Sequence, residues 1–278
     1  NDTNRTFTIS TVTGSYTYYF AGNLVTVTTN KSLQITNTTG FHIIYFNSSG
    51  SLGESSDLST VICDNVIVAI VNWDATQGRR YMMNDERHSR FMECDVHYYL
   101  HEHMSTQYDS GLSPINVTTG GSTSQNTSAQ IATTAGKISD EDYDHNIIAY
   151  TFPGNYRVYY QIGPSGNWSW KQDSYPFVYS GGPSGYTGAG GRIAYNLNTG
   201  GTWSLTEATS TNYVLFHVFA TNSFLNTTDV IVVQGQNQYT TAALATTGAT
   251  TELNAIRAAS LFSVEIKPLY TFLLQTNT

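Results

Sequence analysis

Residues 15–29 read SYTYYFAGNLVTVTT, and this stretch decides the fold class. Tyr16, Tyr18 and Phe20 recur at every second position, so an extended chain carries them on one face. After a short turn, Leu24, Thr26 and Thr28 oppose Val25 and Val27 with the same period of two. β-Branched and aromatic residues in that rhythm, broken by Gly and Asn, spell two short strands.

The same grammar extends outward. Thr6 to Ser10 and Phe41 to Phe46 read as strands, and so do Asn146 to Phe152, Tyr156 to Ile162, Arg192 to Tyr195, Thr202 to Leu205, Tyr213 to Ala220, Val230 to Val233 and Leu269 to Gln275. Val61 to Val71 is apolar on both faces, the mark of a central strand covered on both sides. Helix is scarce: Glu252 to Leu261 behind Thr250 or Thr251 as N-cap, and a weaker segment from Asp95 to Met104. The expected fold is mainly β, a β-sandwich or jelly-roll-like body with one or two short helices. Residues 1–60 are expected to form an N-terminal β segment that anchors or oligomerises. Residues 61–278 are expected to form the main domain, with a flexible Gly/Ser/Thr-rich loop near 109–140.

The chain of 278 residues carries 12 basic and 20 acidic side chains, a formal net charge of -8. Nucleic-acid binding needs a basic face, and none is visible. Apolar runs are only strand-length, so no membrane-spanning helix is expected. Charged residues make up only 12%, about half the usual share. Thr, Ser, Asn, Gly and Tyr replace them, giving a surface that loses little side-chain entropy when packed against another protein. Nine Asn-x-Ser/Thr triplets, among them those at Asn37, Asn47, Asn116, Asn167 and Asn226, stand against roughly five that this composition produces by chance, too small an excess to mark glycosylation. Cys63 and Cys94 are the two cysteines. They read as buried thiols, with pairing left open because sequence does not fix their separation.

Asp85 to Tyr108 reads DERHSRFMECDVHYYLHEHMSTQY and holds four of the seven histidines. On a helix, His97 and His101 stand at i and i+4, a spacing that can grip one metal ion, and His88 can join as a third ligand. His88, His97 and His101 are therefore the candidate ligands of a structural metal ion, the only cofactor expected. The competing reading is a set of hydrogen-bonded histidines at a buried turn, with Arg87 held by Asp95 or Glu86. Tyr98 stands where a zinc protease needs Glu and no nucleophile elbow is present, while the carboxylate separation a glycosidase needs is not set by spacing in sequence. A non-enzymatic protein is expected. The acidic run Asp140, Glu141, Asp142 and Asp144 reads as a Ca²⁺ loop or a solvated turn. Trp168 and Trp170 share one face of an extended segment. They are either core or a platform for sugar rings, and so the candidate ligand-binding residues.

The block from Val66 to Leu112 resembles one found in tail-fibre and other adsorption proteins of tailed bacteriophages, through Trp73, Asp74, Asp85, Glu86, Arg87, His88, His97, Leu100, His101, Tyr108, Gly111 and Leu112. Residues 190–222 and 235–276 resemble further blocks of those proteins, while Asn84, Ser89 and Val96 depart from the pattern. The resemblance implies a structural virion protein of the tail or adsorption apparatus, a fibre or baseplate-associated module for host attachment. It implies a homo-oligomer, most simply a trimer, with other virion proteins and a host surface glycan or protein receptor as partners. A head-decoration or head-fibre protein, a secreted lectin-like module and a hydrolase of host polysaccharide are the alternatives.

Overall fold

The computed structural model describes residues 1–88, 92–119, 129–150, 156–164, 167–224, 229–259 and 265–276. Ser89, Thr151, Phe152, Asn226, Ser260 and Leu261, which entered the sequence expectations, lie outside the described residues. The chain opens with β1 (Thr6–Ile9), β2 (Tyr16–Phe20), β3 (Asn23–Val27) and β4 (Lys31–Gln34). Next come β5 (Gly40–Phe46), β6 (Leu52–Ser55), β7 (Val66–Asp74) and β8 (Arg79–Asp85). Helix α1 (Cys94–Tyr99) runs straight into a π-helical turn over Leu100–Met104. β9 (Gln107–Gly111), β10 (Pro114–Thr119), β11 (Ala129–Thr133), β12 (Gly136–Asp140) and β13 (Tyr143–Ile147) follow. The remainder is β14 (Tyr156–Ile162), β15 (Asn167–Asp173), β16 (Ala194–Thr199), β17 (Thr202–Glu207), β18 (Tyr213–Thr221), β19 (Val230–Tyr239), α2 (Ala242–Ala258) and β20 (Ile266–Gln275).

Two larger sheets form a mainly β, sandwich-like body. The first has the order β6-β5-β7-β8 and the second β15-β14-β19-β18-β20, in which β14 and β19 run parallel. β7 is the buried central strand that its apolar run predicts, although it starts at Val66 and not Val61. The first sheet joins strands from both sides of residue 60, so pairing crosses the expected segment boundary.

The second sheet is covered on both faces, and alternation shows how. Val158, Tyr160, Val218 and Val232 enter one core with Phe177, Val178 and the β16–β17 hairpin. Their neighbours Tyr159, Phe219, Ile231 and Val233 enter the other, against Ile256 of α2 and Tyr81 and Met82 of β8. The two sheets meet where Asn84 bridges to Ser223 and where Asn222 accepts from the Asp85 N–H. Asn84 Nδ2 donates to Thr221 and Asn222 at 2.9 and 2.7 Å, sealing the junction with buried amides.

The described part of the segment 109–140 holds strands β9 to β12, while residues 120–128, its most Gly/Ser/Thr-rich stretch, lie outside the described residues. The Thr-rich pieces of the described part pair in ladders pinned by Leu112, Ile131 and Ile138, all buried, so backbone hydrogen bonding supplies what side-chain hydrophobicity lacks. Two expectations are corrected. Cys63 and Cys94 form a disulfide, with Cα atoms 4.7 Å apart, and are not free thiols. Helix α2 begins ten residues before Glu252, capped by Thr241, whose hydroxyl accepts from Leu244 N–H at 3.2 Å. Its first half mixes alanines and a leucine, which favour helix, with three threonines and a glycine, which do not. There Gly248 seats the helix against Tyr239, where an added Cβ would lie 2.2 Å from the phenol oxygen.

Candidate metal centre

Four separate pieces of chain meet at the junction of the sheets. Past the end of β8 exposure alternates: the Arg87 side chain is 57% exposed, whereas those of Glu86 and His88 are 1% and 13% exposed. Arg87 pairs with Asp85, at 2.8 and 2.6 Å, and stacks on Phe224, instead of binding Asp95 or Glu86. Glu86 is 2% exposed and faces inward. Helix α1 and its π-helical extension supply His97 and His101, and the disulfide ties the first residue of that helix to the loop before β7. Single π turns in α-helices concentrate at functional sites. The β12–β13 hairpin adds Asp140, Glu141 and Asp142, and Glu265 precedes β20.

Glu141 is the hub. Its Oε2 lies 3.0 Å from His88 Nε2 and 3.3 Å from His97 Nε2, while its Oε1 lies 3.4 Å from His101 Nδ1. The same His101 nitrogen lies 3.3 Å from Glu265 Oε1 and 3.8 Å from Glu86 Oε2. Two sets of ligand-type atoms lie side by side, His88, His97 and Glu141 on one side and Glu86, His101 and Glu265 on the other, and Glu141 Oε1 reaches across to His101. His88 is fixed from behind by Asp142, 2.9 Å from Nδ1. A carboxylate behind an imidazole is the usual way of orienting a metal-binding ring. Asn222 donates to Asp140 at 2.6 Å and to Glu265 at 3.4 Å. Glu141 has φ of 50°, in the left-handed region that favours Gly and Asn. Backbone strain of this kind gathers at functional positions.

The electrostatics are severe. Burial, then the neighbouring Asp140, Glu141 and Asp85, pushes the Glu86 carboxyl well above its ordinary range. Burial likewise raises Glu265, reinforced by Glu86, Asp140 and Glu141. Burial also opposes ionisation of Glu141, but contact with His101 and His97 and the charge of His88 and His97 outweigh it, holding the group at about 2. Several carboxylates packed together in a dry site cannot all ionise without a compensating cation.

The expected ligands His88, His97 and His101 are brought together, but His97 and His101 face opposite oxygens of Glu141 and do not grip a single point. The acidic run expected as a Ca²⁺ loop or solvated turn divides: Asp140 is 4% exposed and the Glu141 side chain 2%, whereas the Asp144 side chain is 59% exposed. Nothing local marked Glu265. Beside His88 and His97 lies a cavity of about 590 Å³, whose walls include Tyr16, Tyr18, Phe46 and Arg87.

The tryptophans sit elsewhere. Trp168 is buried in the core under α2, and Trp170 is clasped between the guanidiniums of Arg79 and Arg157, 4.6 and 4.3 Å from its ring. No helix among the described residues is long and apolar enough to cross a membrane. Comparison with protein-family models, curated proteins and solved structures finds no match for this chain.

Proposed function

We propose that this chain is a structural module of the adsorption apparatus of a tailed bacteriophage, acting by multivalent contact in a homo-oligomer. The observation that carries this reading is spatial. Glu86, His88, His97 and His101, which carry the sequence resemblance, come from two pieces of chain to one buried centre, which supports reading that block as a single folding unit. The disulfide fits a protein that works outside a reducing cytoplasm. The low charge suits packing against other copies, whose many weak contacts sum through effective concentration. Electron microscopy of particles labelled with an antibody to this chain tests the assignment: label on the tail or baseplate is expected. A clean monomer in light scattering at micromolar concentration would sink the oligomer.

One observation favours a second reading, a hydrolase of host surface polysaccharide. The cavity beside His88 and His97 would hold a substrate next to groups able to transfer protons. Incubation with host polysaccharide decides it, since a structural module releases no product.

A further inference from the structure

We infer that the junction of the two sheets is a dinuclear site for first-row divalent cations, with the Glu141 carboxylate bridging them. The inference does not depend on where the protein sits on a particle.

The first reason is the arrangement of unsatisfied atoms. Glu86 Oε1, both carboxylate oxygens of Glu141, and the Nε2 atoms of His88 and His97 are buried and make no hydrogen bond. Buried polar atoms almost always find a partner, and each one left over requires a cause. Three of the leftovers are neighbours: Glu141 Oε2 and the Nε2 atoms of His88 and His97 approach at ion-pair distance without hydrogen-bond alignment, as lone pairs directed at a common point do.

The second reason is the spacing. Ligands about 2.0–2.2 Å from a cation lie about 3.0–3.5 Å from each other in octahedral and tetrahedral sites. The separations around Glu141 Oε2 are 3.0 and 3.3 Å, and those from His101 Nδ1 to Glu265 and Glu141 are 3.3 and 3.4 Å. Glu86, 3.8 Å from His101, needs a small inward shift.

The third reason is that the two oxygens of Glu141 serve different imidazoles. One cation would therefore take His88, His97 and Glu141, and the other Glu86, His101, Glu265 and Glu141. Mixed imidazole and carboxylate donors suit zinc, manganese or iron, while calcium and magnesium prefer oxygen alone. The first position borders the cavity and keeps room for water or a substrate oxygen. The second is enclosed by Glu86, His101 and Glu265, each 4% exposed or less.

The test uses the full chain, stripped with a chelator, dialysed against Zn²⁺ or Mn²⁺, desalted and analysed for metal by mass spectrometry. Two equivalents per chain are expected. The His88→Ala and His97→Ala variants should each retain one equivalent, as should His101→Ala, and Glu141→Gln should retain at most one. Zero or one equivalent in the unaltered protein overturns the pair, whatever the variants do. Two equivalents in Glu141→Gln overturn the bridge, and metal retained when all three histidines are replaced places the ions elsewhere.

Discussion

Glu252 is the residue whose removal should cost most away from the proposed centre. It projects from α2 into the bulge of β19, where its carboxylate accepts from the N–H groups of Gln236 and Asn237 at 2.7 and 3.1 Å. Tyr239 OH donates at 2.7 Å, and His217 Nε2 lies at 3.1 Å. His217 is itself fully buried, and its other ring nitrogen meets Thr271 at 2.8 Å. One carboxylate thus joins the helix, the bulged strand and β20. Glu252→Ala strands two backbone donors, a phenol and an imidazole in a dry interior. Removing one partner of a buried charged network costs about 3–5 kcal/mol. Water entering the space left behind would recover part of that, so a loss of about 4 kcal/mol is expected. For a chain of this size this corresponds to a fall in Tm of about 7 °C. Urea unfolding followed by tryptophan fluorescence measures it. Glu252→Gln keeps an acceptor for the backbone and should lose about half as much. A loss below about 1 kcal/mol for the alanine variant would show that the network does not hold the helix down, and the reasoning fails.

Three more outcomes follow from other parts of the molecule. The disulfide closes a loop with a sequence separation of 31, so a Cys63→Ser/Cys94→Ser variant should lose about 3–4 kcal/mol by the chain-entropy estimate; equal unfolding midpoints with and without reductant would contradict it. Burial holds Lys171 down at about 8, partly offset by Asp173, whereas an unfolded lysine titrates near about 10.4. The unfolded chain therefore binds more protons in that window, and stability should rise by about 2 kcal/mol from about pH 7.5 to about pH 9.5. Lys171→Met should flatten that part of the profile, and an unchanged slope in melts across the range would refute the assignment. Gly235 has no room for a side chain, since an added Cβ would lie 2.3 Å from the Leu215 carbonyl oxygen. Gly235→Ala should cost about 2–3 kcal/mol, and a variant that melts with the parent protein would show that the strands separate easily.

The strands were legible where both rules of strand formation spoke together. Tyr16 to Phe20 and Asn23 to Val27 pair as the hairpin their alternation describes, and Tyr213 to Thr221 is buried almost throughout, as its apolar run implies. They were illegible where one rule was silent. Gly136 to Asp140 carries only Ile138 as a large apolar anchor, so the ladder with β13 and β9 holds it in place. Gln234 and Asn196 show the same limit at single residues. Their amides bond the backbone of neighbouring segments as extra strands would, Gln234 at Val178 and Asn196 at Gln161. Nothing beside either residue in the chain announces that role.

By itself the sequence determined the class of fold, because side chains at every second position can satisfy a pleated sheet and little else. It also gathered His88, His97 and His101 into one short block, since a helix and the turn before it are local objects. What only the tertiary structure decided is the centre those residues build. Glu141 arrives from a hairpin across the molecule and Glu265 from the approach to the last strand, because the junction of two sheets brings distant segments within 4 Å. Carboxylates far apart along the chain carry no mark of their meeting. Their mutual repulsion, and the imidazoles that relieve it, exist only once water has been excluded.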